Sequence, residues 1–396
     1  MNLFVLVSLV GLAASPDAND APRFEAEQIF TPVEKQTHAP ALVELANGDL
    51  LASWYGDAEE KDASIIGARK SSGDKGWSEP FTMADRPGFP DCNTCMMIDR
   101  NARLWLFYPT ILGSSWESAL MNYRTSTDFA GAGSPKWERQ GMILLKPEDF
   151  SDEALKLLGD RKIRPPRGAI VGAEGQAAKL KDPLFQRLGW ANRCKPTVLP
   201  SGRILLPLYT DTFNISIMAV SDDAGENWYA SKPLIGFGNI QPTVLRRNDG
   251  TLVAYMRENG PRGVIRVSES TDDGINWSAV GDTELPNPGS GIDGVRLANG
   301  HWVLIYNPSK TSRAQLVVSI SEDEGRTWKF TRHLEKHAEG RYHYPCIMQG
   351  KDGTIHAIYS TFISPEPAKS ADGKTLQQMK GIKHVALNEA WIRAGE

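Results

Sequence analysis

The chain has 396 residues, of which 41% are apolar and 23% charged, with 36 Gly, 11 Trp and only 4 Cys. A chain of this size buries a core large enough to do without disulfide staples. Its net charge of −4 excludes a basic surface spread over the whole molecule, so no nucleic-acid partner is expected, although a small cationic pocket is not excluded.

In chain order, the first element is apolar: Leu3 to Ala14, followed by small and polar residues. It is too short to span a bilayer and reads as a signal peptide over 1–15, which places the mature chain in a secreted or periplasmic compartment. No later segment is long and apolar enough for a membrane span. Cys92 and Cys95 form one C-x-x-C without a second pair or a histidine pair to complete a zinc set. The four cysteines, with Cys194 and Cys346, read as buried thiols, and a Cys92–Cys194 bridge is the alternative. No cofactor and no metal in the site are expected, and a structural Ca²⁺ is not legible in the sequence.

From His38 onward one unit repeats. An apolar strand ends in Gly, and a second strand closes on Tyr. The Gly positions are 48, 202, 250, 300 and 353, and the Tyr positions are 55, 108, 209, 255, 306 and 359. An octet Ser-x-Asp-x-Gly-x-x-Trp accompanies the unit. It appears as Ser221 to Trp228, again 49 residues later as Ser270 to Trp277, and 51 residues after that as Ser321 to Trp328, with eroded copies at Ser72 and Ser126. In such an octet Ser and Asp bond nearby amides, Gly supplies a left-handed turn, and Trp packs the turn onto the sheet. A period near 50 with four strands per unit predicts an all-β, six-bladed β-propeller over 22–396. Arg23 to Phe30 then supplies the outer strand of the last blade. The interval from Asn93 to Lys195 holds about two periods, and the excess, 140–191, reads as an insertion between blades 2 and 3. It carries a short helix over Pro147–Leu158 and a basic run, Arg161 to Arg167.

Successive turns in a blade alternate between the two faces of the disc. First-strand starts (His38, Asn93, Lys195, Gln241, Asp293, Tyr344) share one mouth with the loops after second strands, which hold Asp62, Arg257 and Arg313. The octets lie on the other face and are structural.

On these residues the chain resembles the sialidase (neuraminidase) superfamily, specifically bacterial sialidase-like proteins with Asp-box repeats, over about residues 24–390. His38-Ala-Pro40 stands where that family has Arg-Ile-Pro, so the resemblance puts His38 in place of the first arginine of a carboxylate-binding triad. Gln241 stands where it has Glu. Arg257 and Arg313, the latter after Asn307-Pro308, match the other two arginines. Tyr344, eight residues before Asp352-Gly353, matches the nucleophile, and Asp62 the acid/base, with Asp57, Glu59 and Glu60 crowding the same loop. The resemblance implies a retaining, exo-acting glycoside hydrolase that removes a terminal acidic sugar, sialic acid or a relative, from a glycan or oligosaccharide. Lys195 and Asp293 join as substrate-binding candidates, and Arg193, Arg296, His343 and His384 as a second line.

The departures have chemical weight. An anomeric carboxylate calls for several fork-shaped cations, and His38 joins them only when protonated. A tyrosine nucleophile needs a carboxylate to take its proton. Gln241 cannot, which leaves Asp293 or Glu258 as substitutes. Two further functions stay open: a uronate-directed lyase in which His38 and Tyr344 perform β-elimination with Arg neutralising the carboxylate, and a non-catalytic glycan-binding propeller. The motif Asn287-Pro-Gly-Ser-Gly-Ile-Asp293 carries no assigned role, and the oligomeric state is not legible.

Overall fold

Each repeat unit folds into an antiparallel sheet of four strands or, in blade 3, of five. The computed structural model describes residues 21–56, 62–73, 76–147, 150–159, 173–365 and 377–396. The expected leader, the acidic trio Asp57, Glu59 and Glu60, and the basic run 161–167 lie outside the described residues. Six blades form the ring, with first strands Thr37–Glu44, Cys95–Ile98, Trp190–Asn192 with Thr197–Val198, Asn239–Arg246, Asp293–Arg296 and Gly340–Gln349. The second strands, Leu50–Gly56, Leu104–Ile111, Ile204–Thr210, Leu252–Glu258, Trp302–Tyr306 and Ile355–Ile363, are almost continuously apolar because both faces are covered by neighbouring blades.

The core is correspondingly divided into wedges. One apolar cluster lies in each cleft between adjacent blades, including the cleft between blade 6 and blade 1, where Leu42, Ala52 and Trp54 meet Cys346, Ile358 and Ile382. The ring is closed by Phe24–Gln28, which pairs antiparallel with Met379–Leu387 in the register Phe24 to Leu387. Glu27 on this strand takes His384 Nδ1 at 2.9 Å and Lys70 of blade 1 at 2.5 Å. Partial burial acts to raise its carboxyl pKa, but His384 and Lys70 outweigh it and hold the group at about 2.

The octets lock blade to blade. In blade 3, Ser221 Oγ donates to Asp223 (2.9 Å) and accepts from the Gly225 amide (2.8 Å), while Asp223 accepts from the Asn227 amide (2.9 Å). The Asn227 amide and side chain hold the Asp223 carboxyl at about 2. The same bonds recur at Ser270–Asp272 and Ser321–Asp323. These aspartates are therefore consumed by their own turns. Gly225 also presses on Trp105 of the blade before it, and Trp228 meets the Trp105 ring edge-on at 6.3 Å.

Between blades 2 and 3 stand helices Phe150–Gly159, Ala173–Lys181 and Pro183–Arg187. The inserted segment is slightly shorter than 140–191. Arg139–Met142 is the outer strand of blade 2 and Trp190–Asn192 already belongs to blade 3. Phe150 anchors it edge-on to Trp190 and Phe213. All four cysteines are buried and none is in a disulfide, so the Cys92–Cys194 bridge is absent. Burial pushes the Cys95 thiol up to about 12. No helix among the described residues is long and apolar enough to cross a membrane.

Gly225 sits at φ +85°, and a Cβ there would enter the Trp105 ring. Gly225→Ala is expected to cost about 1–3 kcal/mol. Gly88→Ala, at φ +80° with open space around it, should cost less, because only backbone strain is incurred. Thermal unfolding of both variants measures the difference.

Candidate active site

The site is built by a repeated backbone device. The first strands of blades 1, 4 and 6 break register between His38 and Ala41, Ile240 and Thr243, and His343 and Cys346. At each break a residue preceding proline adopts a left-handed backbone: Ala39 (φ 53°), Gln241 (φ 56°) and Tyr344 (φ 46°). Such conformations are strained for residues with a Cβ, doubly so before proline, and persist only where surroundings enforce them. Arg193, 2% exposed, does so for Tyr344. Its guanidinium donates to the Tyr344 carbonyl and to the Pro345 carbonyl (3.1 Å), and lies 5.2 Å from the centroid of the Tyr344 ring.

The Tyr344 hydroxyl accepts from Arg257 Nη1 at 3.1 Å, and the same nitrogen donates to Gln241 Oε1 at 3.3 Å. Enclosure acts to raise the phenol pKa. The charges of Arg257 and Arg313 and the hydrogen bond from Gln241 outweigh it, so the phenol lies below the ordinary tyrosine range. Arg313 donates to His343 Nδ1 (2.6 Å) and to the Gly289 carbonyl (2.5 Å). The Asn287–Asp293 segment thus acquires a role as a wall. Asn287 accepts the Gly289 and Ser290 amides, and Gly291 lets the Tyr344 ring lie against its backbone, where a Cβ would sit 2.7 Å from the ring.

Tyr344, Gln241, Arg257, Arg313, His343 and His38 are brought together. His38 differs from expectation. It is 8% exposed, packed against Tyr344 (ring centroids 4.6 Å), Phe362, His343 and Tyr55. Burial first, then the positive field of His343, Arg193 and Arg313, pushes its pKa well below 6.5. It is a neutral wall and not a third cation. Asp62 is exposed, and its carboxylate accepts from the Gly88 amide at 3.2 Å.

Lys195 and Asp293, expected to bind substrate, are engaged with the fold itself. They pair at 2.7 Å, and Asp293 also accepts from Thr243 and the Ile347 amide, so this nearly buried carboxylate ties four blades together. Glu258, 1% exposed, takes the Arg262 amide (3.2 Å), and its carboxylate lies over the backbones of Gly238 and Gly260. Arg296 bonds Asn248 and His384 bonds Glu27, both away from the Tyr344 cluster. Among the described residues no three His, Cys, Asp or Glu side chains converge as metal ligands.

Asp211 was missed by sequence reasoning. It follows Ile204–Thr210, stands two residues after the repeat tyrosine Tyr209, and is the blade-3 counterpart of Arg257, which stands two residues after Tyr255. That offset was readable. The Asp211 side of the mouth is tied down by Arg257 Nη2 to Asn259 (3.4 Å), Asn259 to Asn214 (2.5 Å) and Asn214 to the Asp211 carbonyl (3.1 Å). Asp211 is solvent-exposed yet walled in. That enclosure raises its carboxyl pKa against the pull of Arg257.

The two buried histidines set a pH dependence. His343 is held at about 3, by burial first and then by Arg313. Both histidines have depressed folded pKa values, so their stabilising contribution is complete above the unfolded value near 6.5 and drains away as pH falls toward 3. The melting temperature should drop over that window, and His343→Phe should flatten the drop, as followed by circular dichroism melts at stepped pH.

A family model described as a BNR repeat-like domain matches residues 176–357. The chain is 24% identical over 378 residues to a sialidase of Micromonospora viridifaciens, covering 89% of this chain and 51% of that protein. It is also 24% identical over 184 residues to an anhydrosialidase of Macrobdella decora, covering 41% of this chain and 24% of the other. It therefore spans about half the length of the first relative and a quarter of the second. Among solved structures, the NanB sialidase from Streptococcus pneumoniae superposes with a TM-score of 0.65 at 13% identity, over 92% of this chain and 71% of that one, which shows a shared fold. In its repeated octets, its six-bladed ring and these likenesses, the chain is similar to sialidases and to BNR repeat-like domains.

Proposed function

We propose that the protein is an exo-acting, retaining glycoside hydrolase that removes a terminal carboxylate-bearing sugar, sialic acid or a relative, from a glycan. The observation that carries this reading is the Tyr344 phenol held 3.1 Å from Arg257, its pKa lowered by Arg257 and Arg313. A lowered phenol pKa makes a better oxygen nucleophile, and two guanidinium forks on the same mouth suit a substrate carboxylate. In this reading Tyr344 attacks the anomeric carbon, Asp62 protonates the leaving oxygen, and Arg257 and Arg313 hold the carboxylate. Gln241 orients the phenol through its hydrogen bond. The apolar stretch 3–14 supports delivery to a secreted or periplasmic location, where such glycans are met.

One observation favours elimination instead. A neutral His38 beside Tyr344, with no carboxylate at position 241, is the apparatus a uronate lyase uses. Product mass separates the two, since hydrolysis adds one water per bond cut and elimination adds none.

With a fluorogenic sialoside, Asp62→Asn is expected to lower kcat by ~10²–10⁴-fold, and Tyr344→Phe by at least as much. Equal rates for wild type and Tyr344→Phe would sink the hydrolase reading. Arg313→Lys should raise KM more than it lowers kcat, because it removes a fork and keeps a charge.

A further inference from the structure

The phenol of Tyr344 has no carboxylate at the position that Gln241 occupies, and a tyrosine nucleophile requires a group to take its proton. Neither substitute suggested by the sequence is open to the mouth: Asp293 is taken by Lys195, Thr243 and the Ile347 amide, and Glu258 is 1% exposed, with Oε2 on the Arg262 amide and Oε1 buried against Gly238 and Gly260. Asp211 is not spent. Asp211 is exposed at the end of its strand, and a hydrogen-bond chain from Arg257 through Asn259 and Asn214 ties its backbone to the guanidinium that meets the Tyr344 hydroxyl. It lies close enough to Tyr344 and Tyr209 for its charge to act on both hydroxyls, and close enough to Arg257 to feel its charge. Gln241 hydrogen-bonds to both hydroxyls, and Tyr209 accepts from Asn93 at 3.0 Å. The facing groups are thus Arg257 from blade 4, Tyr344 from blade 6 and Tyr209 from its own strand.

We propose that Asp211 is the proton acceptor for Tyr344, supplying from the end of the second strand of blade 3 the carboxylate that blade 4 lacks. The proposal rests on the hydrolase reading above. As Tyr344 Oη bonds to the anomeric carbon, the bond from that carbon to the leaving oxygen breaks, and its electron pair stays on that oxygen. Asp62 gives its proton to the leaving oxygen, and the phenol proton passes across one bridging water to the Asp211 carboxylate. In the second step water attacks the same carbon and loses its proton to Asp62, while Asp211 returns its proton to the departing Tyr344 oxygen. The walled-in setting that raises the Asp211 pKa makes it the stronger base for this task.

The test is a carboxylate swap. On a fluorogenic sialoside, Asp211→Asn should lower kcat by ~10²–10⁴-fold with KM little changed, and should remove the acidic limb of the pH–kcat profile. Adding Gln241→Glu to Asp211→Asn should recover at least about tenfold of that loss, an outcome that a misfolded or merely packing-deficient variant would not give. An Asp211→Asn enzyme with wild-type kcat and pH profile overturns the proposal, and so does an inactive one that Gln241→Glu leaves inactive. If the wild type turns over no acidic glycoside, the hydrolase reading fails by itself. Ultraviolet titration of tyrosinate, with Tyr344→Phe as the subtraction, then judges Asp211. Loss of the carboxylate should shift the Tyr344 ionisation to lower pH, and an unmoved titration overturns the proximity on which the proposal stands.

Discussion

The site depends on a backbone conformation that its residues would not choose. Gln241 and Tyr344 are side-chain-bearing residues before proline, held left-handed at breaks in their strands. Each costs on the order of 1–3 kcal/mol. The surroundings over-determine them: a nearly buried arginine under the Tyr344 carbonyl, a glycine backbone against its ring, and apolar wedges on both sides of every blade. An ordinary strand would send alternate side chains into the inter-blade clefts. The break turns one residue per strand toward the axis, which is how a ring of sheets presents polar groups to a common centre.

The two departures from the sialidase pattern are linked through charge. A neutral histidine in place of an arginine removes one positive charge from the mouth, and a glutamine in place of a glutamate removes one negative charge. The balance around Tyr344 is thus kept while its components change. Arg257 and Arg313 remain. Burial, assisted by nearby positive charge, keeps the His38 and His343 rings neutral, and the two arginines lower the phenol pKa against its burial. The site is a less polarised version of the pattern it resembles, with Asp211 the exposed carboxylate whose charge opposes the arginines at the phenol.

Much of this was legible in the sequence because it is periodic. The octets, the repeat glycines and the repeat tyrosines recur about every 50 residues, and their alternation assigns residues to faces without any coordinates. That is why His38, Gln241, Arg257, Arg313 and Tyr344 could be placed on one mouth. Partnership across blades was not legible. Nothing local to Lys195 or Asp293 shows that the two ion-pair, and nothing in His38-Ala-Pro40 shows the aromatic box that keeps the imidazole neutral. Arg193 read as a spare cation when its work is to hold a carbonyl. Asp211 was overlooked for another reason. It lies outside the motifs that carry the family resemblance, although its offset from Tyr209 matches that of Arg257 from Tyr255.

Ring closure has a consequence for the order in which the molecule can be made. Blade 6 is completed by pairing residues 24–28 with 383–387, segments separated by more than 350 positions. On the ribosome the N-terminal strand emerges first and has no partner until nearly the whole chain has been synthesised. Five blades can form in sequence while that strand waits. The cleft between blades 1 and 6, which underlies Tyr344 and His38, is sealed only at the end. The candidate site is therefore the last part of the molecule to become rigid, and a stalled or shortened chain leaves an unpaired strand edge available to another copy.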